Sequence, residues 1–240
     1  MAVSKFKFYD GRDPRDVPAY MLYEAARYTG IPLDTLRTWV SGREYLIESG
    51  KKRKYSKPLI IRPEKSGLLS FTNLVEAHVL NAIRRKHRIP MPRVRKALDY
   101  LSAKFESKHP LAEHEFETDG LDLFIEQFGD LINVSQSGQL AMKEVFQMYL
   151  KRIERDEAGL ARKLFPFTRA AKHAEDPKIV AINPRIAFGK PVIDGTGIPT
   201  SIIAERYKTG ESIAEIAQDY GRQQTEIEEA IRCEFELKAA

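Results

Sequence analysis

Thr35, Arg37, Thr38 and Ser41 lie along one short stretch whose other residues include Leu36, Trp39 and Val40. Wound as a helix, the stretch turns the apolar three inward and the polar four, with Asp34, outward. One guanidinium among hydroxyls supplies the donors and acceptors that read base edges in the major groove of DNA. Arg43 and the run Lys51, Lys52 and Arg53 follow closely. They are point charges suited to backbone phosphates, which fix register without reading sequence. Trp39 belongs with the core.

A second constellation lies near the other end. Lys190, Pro191, Gly195, Thr196, Ile198 and Pro199 fall within FGKPVIDGTGIPT at 188–200. Gly195 and Gly197 permit tight backbone turns, and the two prolines fix φ at a strand edge and a helix start. Lys190 lacks a surrounding GxxxxGK[ST] pattern, so a phosphate-binding loop of that type is rejected. The last helix carries Glu226, Glu228, Glu229, Glu234 and Glu236. DNA repels so acidic a helix, which is therefore expected to offer a protein-binding or dimerisation surface, with Glu226 and Glu229 as its candidates.

Catalytic chemistry finds no support. His78 and His87 stand nine residues apart on one expected helix, not at the i, i+4 spacing of paired metal ligands. His109, His114, Glu115 and Glu117 share a turn-rich stretch without a ligand pattern. Asp119, Asp122, Glu126 and Asp130 read as solvated acidic surface, and no GxSxG motif is present. The single cysteine, Cys233, excludes an internal disulfide and a multi-cysteine zinc site, and reads as a small, partly buried helix residue. No metal, cofactor or catalytic residue is expected, and the chain reads as a non-enzyme.

The elements that position these groups follow from periodicity. Leu22, Ala25 and Ala26 give a short helix that Thr29-Gly30 stops, and a second runs over 33–40. Two short helices joined by a glycine turn make a helix-turn-helix. The apolar runs 58–61 and 68–71, separated by a turn-forming stretch, suggest a hairpin that would serve as a wing. Longer helices are expected over 72–88 and 93–106. Apolar runs at 116–118, 121–128 and 131–134, broken by Asp119-Gly120 and Gly129-Asp130, suggest a small antiparallel sheet. A helix at 141–155 and an edge strand at 164–167 follow. Beyond a polar linker at 170–178, short β-like runs precede helices over 202–208, 212–220 and 224–237, a second helix-turn-helix-like unit.

The fold expected is thus α+β and mostly α. A winged helix-turn-helix occupies 1–110, a small α/β region 111–168 and a helical unit 179–240. Charge divides the same way. Residues 1–110 hold 23 Lys and Arg against 11 Asp and Glu, a net +12, whereas 111–168 carry −5 and 169–240 carry −2. A basic module joined to an acidic remainder is the footprint of a polyanion-binding domain attached to something else. No stretch is apolar enough for a membrane span and the N-terminus lacks a secretory apolar region, so a cytoplasmic protein is expected.

Two resemblances sharpen this. Tyr23-Glu24-Ala25-Ala26-Arg27, Gly30-Ile31-Pro32 and Thr35-Leu36-Arg37 resemble the opening of MerR-type winged-helix regulators. That resemblance covers about the first 70 residues and implies DNA contacts from Arg37 and, on the wing, Arg62. The multiple cysteines of the metal-sensing members are absent. Residues 188–200, continued by Gly210-Glu211-Ser212-Ile213-Ala214-Glu215-Ile216 and Asp219-Tyr220, are similar to a bacterial domain of unknown function found in VapB-like antitoxins. Gly197 departs from that pattern, which commonly has arginine there. The layout as a whole resembles the long VapB-like antitoxins. It implies a homodimer that binds double-stranded operator DNA to repress its own operon and neutralises a PIN-like ribonuclease toxin. A stand-alone MerR-like regulator and a protein-interaction scaffold remain open at this point.

Overall fold

The computed structural model describes residues 11–46, 53–63, 67–86, 91–113, 116–132, 136–169 and 176–235. Lys51, Lys52, His87, His114, Glu115, His173 and Glu236 lie outside them, as do the side chains of Arg53, Asp130 and several neighbours.

The chain opens with Tyr20 bridged to Leu69, then α1 (Leu22–Thr29) and α2 (Leu33–Ser41). Gly30 takes the left-handed conformation (φ 61°, ψ 37°) that ends α1, and Pro32 starts α2. The hairpin that follows is β1 (Arg43–Leu46) paired antiparallel with β2 (Arg53–Ser56). This is a correction of register. The wing forms one segment earlier than the apolar runs at 58–61 and 68–71 suggest. Those runs are drawn into the core instead, with Ile60, Leu69 and Phe71 all buried. Arg62, expected on the wing, consequently falls in the coil after it.

Next come α3 (Phe71–Lys86) and α4 (Met91–Lys104), close to their expected spans. The middle region differs. Where alternating runs and Asp-Gly pairs suggest hairpins, the chain forms α5 (Leu121–Ile132). α6 (Gln136–Leu150) is the helix expected over 141–155, begun earlier and ended at 150 because 153–155 form a strand. Leu121, Phe124 and Ile125 stand at helical i, i+3, i+4 spacing and are buried. Phe124 meets Phe116 and Phe146 edge-on, with ring centroids 6.0 and 5.5 Å away. Aromatic packing against α6 thus outweighs the turn propensity of the Asp-Gly pair.

The antiparallel sheet is built from later residues than expected: β3 (Ile153–Arg155), β4 (Ala161–Leu164), β5 (Val180–Ile182) and β6 (Pro191–Ile193), hydrogen-bonded in that order. β4 is therefore an inner strand, and Phe165 and Phe167 beyond it are core residues. The sheet joins the middle of the chain to its last third. That last third is α7 (Thr200–Lys208), α8 (Ile213–Tyr220) and α9 (Gln224–Phe235), as the periodicity indicates. Ser212 caps α8 and shares a reciprocal capping box with Glu215.

One buried apolar cluster runs from Tyr20 through α3, α6 and the sheet to Ile182. A smaller one, built on Ile193, Ile203, Ile216 and Ile227, lies among the last three helices. No described helix is long and apolar enough to cross a membrane.

Candidate nucleic-acid interface

Leu36, Trp39 and Val40 bury the inner face of α2 in the main core beside α1, leaving Arg37 and Ser41 exposed and Thr35 and Thr38 half-buried on the other side. The four expected base-reading residues therefore share one outward face. Thr38 Oγ1 donates to the Asp34 carbonyl at 2.9 Å, and the Arg37 guanidinium pairs with the Asp34 carboxylate one turn earlier. The Arg37 side chain is thus oriented along the helix surface toward Asp34.

The hairpin is locked to the end of this helix. Tyr55 Oη donates to the Ser41 carbonyl at 2.8 Å, a contact no spacing rule in the sequence reveals. Gly42, at φ 72°, makes the turn between α2 and β1. A Cβ there would lie 2.3 Å from the Ser56 carbonyl oxygen and 2.6 Å from Tyr55 Oη, so only glycine lets the wing fold back this closely. Arg43, first residue of β1 and exposed, stands opposite Ser56. Beyond β2 the backbone N–H groups of Leu59 and Ile60 donate to the Trp39 carbonyl at 2.7 and 3.1 Å. Arg95 on α4 closes the arrangement by donating to the Pro58 carbonyl at 2.9 Å and to the Lys57 carbonyl. α2 and the hairpin therefore form one braced surface.

The second candidate set has a different character. Lys190 Nζ pairs with Glu24 Oε1 of α1 at 2.5 Å, while Glu24 Oε2 accepts from the Met21 N–H and caps the same helix. Gly189, at φ 76°, packs so closely that a Cβ would lie 2.2 Å from Tyr20 Oη. Pro191 is buried, and its carbonyl accepts from Thr200 Oγ1. Gly195 turns the loop at φ 72°. Thr196 braces it by donating to the Ile193 carbonyl at 2.7 Å and accepting from the Ile198 N–H. Ile198 packs on the smaller core and Pro199 caps α7. These residues build the unit and seat it on α1.

The acidic helix is corrected in the same way. Glu229 is 2% exposed, accepts from Thr168 Oγ1 and lies 3.3 Å from Arg169 Nη2. Glu234 pairs with Arg27 of α1 at 2.5 Å and accepts from Thr200 Oγ1 at 2.6 Å. Glu226 accepts from the Gln223 N–H at 2.9 Å and pairs with Arg222. Charge alone places these carboxylates on an outer surface, but two of them are inside, neutralised by cations from distant segments. Glu228 stays exposed.

The isolated titratable residues are structural. His78 is buried, with Nε2 3.0 Å from the Tyr149 carbonyl oxygen. Cys233 is buried on α9, and burial pushes its thiol up to about 12. Among the described residues no cluster of three or more His, Cys, Asp or Glu has a metal-holding arrangement.

Comparison with known proteins matches both halves. Residues 18–98 fit a family described as "Putative DNA-binding HTH domain", and 180–232 fit "Protein of unknown function (DUF433)". The chain is 32% identical over 231 residues to "Putative antitoxin VapB45" of Mycobacterium tuberculosis, covering 90% of this chain and 93% of that protein. It is 29% identical over 228 residues to "Uncharacterized protein Rv2308" of the same organism, covering 90% of each. The crystal structure of Rv2018 from Mycobacterium tuberculosis superposes with a TM-score of 0.63 at 27% identity, over 90% of this chain and 98% of that one. A relative above 30% identity that aligns along nearly the full length of both chains fixes the family: this chain belongs to the VapB45-like antitoxins.

Proposed function

We propose that this chain is a cytoplasmic, homodimeric antitoxin that represses its own operon by binding operator DNA through α2 and the β1–β2 hairpin. It also neutralises a PIN-like ribonuclease toxin by direct binding. The observation that carries the DNA half is the braced outward face of α2, where Thr35, Arg37, Thr38 and Ser41 stand together beside Arg43. Lys51, Lys52, Arg53 and Arg62 add positive charge in the adjoining sequence for phosphate contact. Pairing two such units would let the protein read two half-sites one helical turn apart. The toxin half rests on family membership. Its contact surface is sought on the outward part of the last three helices, because the 188–200 loop and Glu229 are engaged within the chain.

The test is a fluorescence-anisotropy titration of a labelled promoter fragment across a salt series, wild type beside Arg37→Ala. The reading expects affinity to fall steeply with salt and to drop by tenfold or more in the variant, about 1–3 kcal/mol. Weak binding that ignores the substitution would overturn it. Co-purification with the product of a neighbouring PIN-like gene, and loss of its ribonuclease activity in the complex, tests the toxin half.

A further inference from the structure

Glu228, Ile231, Arg232 and Phe235 stand at i, i+3, i+4 and i+7 on α9, one stripe along the later part of the last helix. With Tyr207 near the end of α7 and Ile213 at the start of α8, they line a groove of about 340 Å³. Tyr207 and Phe235 are exposed and meet edge-on, with ring centroids 6.4 Å apart. Ile213 and Ile231 are half-buried. Single exposed apolar residues are ordinary on a protein surface, but four that converge in one groove mark a place where another surface docks.

The charges around the groove say which surface. Most charges of the last three helices are spent within the chain: Arg206 pairs with Glu211 and Asp219, Arg222 with Glu226, and Arg232 with Glu229 at 3.3 Å. Glu228 and Lys208 are exposed, and neither makes an ion pair among the described residues. They mark opposite ends of the stripe. Glu228 opens it, and Lys208 Nζ lies 5.2 Å from the centroid of the Phe235 ring that closes it. The two ends are about two helical turns, or ~10 Å, apart. A surface anionic at one end, cationic at the other and apolar between complements a copy of itself turned end for end. With the two α9 helices antiparallel and centred between Ile231 and Arg232, Glu228 faces Phe235 of the second copy, and so the lysine over its ring. Ile231 then packs on the Arg232 stem, and every contact is repeated by symmetry. Parallel helices would set Glu228 against Glu228 and Lys208 against Lys208 instead. The two Arg232 side chains near the axis are each neutralised by their own Glu229.

We infer that the groove between α7, α8 and α9 is the homodimer interface, closed by a second copy through reciprocal Glu228–Lys208 ion pairs over the cluster of Tyr207, Ile213, Ile231 and Phe235. The inference rests on the homodimeric reading above and gives it a surface. It leaves the outer face of α7, where Ile202 and Glu205 are exposed, open to a toxin.

Sedimentation velocity of the full chain at about 0.1 M salt, where charges in contact still act, tests it. Twice the chain mass is expected for the wild type. Glu228→Lys alone and Lys208→Glu alone should each weaken dimerisation at least tenfold, because each sets like charges against one another across the interface, with circular dichroism unchanged. Mixing the two variants should restore the dimer, since each then supplies the charge the other lacks, and the double substitution should restore it as well. No change confined to one chain's own fold produces that rescue. A wild type that is monomeric at about 50 µM would overturn the homodimeric reading and this surface together. A dimer that both single variants leave intact, or mixed variants that stay monomeric, would overturn the surface alone. Should a monomeric chain instead lose binding to the neighbouring PIN-like toxin on Glu228→Lys, the groove belongs to the toxin and the inference fails.

Discussion

At the scale of single residues, Arg37 and Asp34 matter most. Arg37 is 55% exposed and Asp34 90% exposed, so their pair sits in solvent and contributes about 0–1 kcal/mol. That bond is too weak to hold Arg37 away from a DNA base, but the carboxylate adds negative charge to the face proposed to meet phosphates. Asp34→Asn is therefore expected to tighten operator binding severalfold at low salt, with the gain shrinking as salt screens it. An unchanged dissociation constant in anisotropy would place Asp34 off the DNA. The i, i+3 spacing makes this pair legible in the sequence. The bond from Tyr55 to Ser41 is not legible, because it depends on how the hairpin folds back. The glycine at 42 gives a separate expectation. Gly42→Ala forces both a left-handed alanine and a backbone clash, and should cost about 1–3 kcal/mol or more in chemical denaturation. Gly67→Ala, with nothing within 4 Å of the added Cβ and no positive φ, should be nearly silent.

At the scale of elements, helices whose apolar residues repeat regularly were readable: α1 to α4 and α7 to α9 lie close to where periodicity puts them. The position of the hairpin is not legible, because apolar runs at 58–61 and 68–71 look like strands but are needed in the core. α5 is not legible because Asp119-Gly120 is a strong local turn signal, while the aromatic contact that decides for helix comes to Phe124 from Phe146, far along the chain. The packing of α3 on the 108–111 segment supports a pH expectation. Burial alone would lower His109, but the Glu76 hydrogen bond and charge, with Asp16 and Glu113 nearby, outweigh it and hold the imidazole above its ordinary 6.5. Burial pushes Glu76 above its ordinary 4.5, and the bonds from His109 and Asn73 reverse that only in part. Both groups hold protons more tightly folded than unfolded. Their contribution is full below the ordinary values and is lost as pH rises through the raised ones. The melting temperature should therefore fall between about pH 6 and pH 8, and His109→Asn should flatten that slope. A slope identical in the variant would remove His109 from the account.

At the scale of the whole molecule, the two halves that sequence separates by charge are joined by buried charges. Arg27 and Glu234 are 207 residues apart, and no local pattern could pair them. Arg152 is the other junction. Wholly buried, it donates to the Phe165, Pro166, Asp176 and Pro177 carbonyls and lies over the Phe167 ring, tying the end of β4 to the start of the C-terminal unit. Removing it would strand those carbonyls, at about 1–3 kcal/mol for each one left unsatisfied. The loss should fall unequally, because the last three helices have a small core of their own and depend on such ties to share the stability of the larger one. Trp39, the only tryptophan, sits in the helix-turn-helix, so its emission follows that end while far-UV circular dichroism follows every helix. In the wild-type protein the two signals should share one denaturant midpoint, as a single cooperative unit requires. In Arg152→Met the circular dichroism midpoint should drop below that of Trp39, as the C-terminal helices unfold ahead of the rest. Midpoints that fall together would instead make Arg152 a stabiliser of the common core, and the coupling of the two ends would then rest on the contacts to α1.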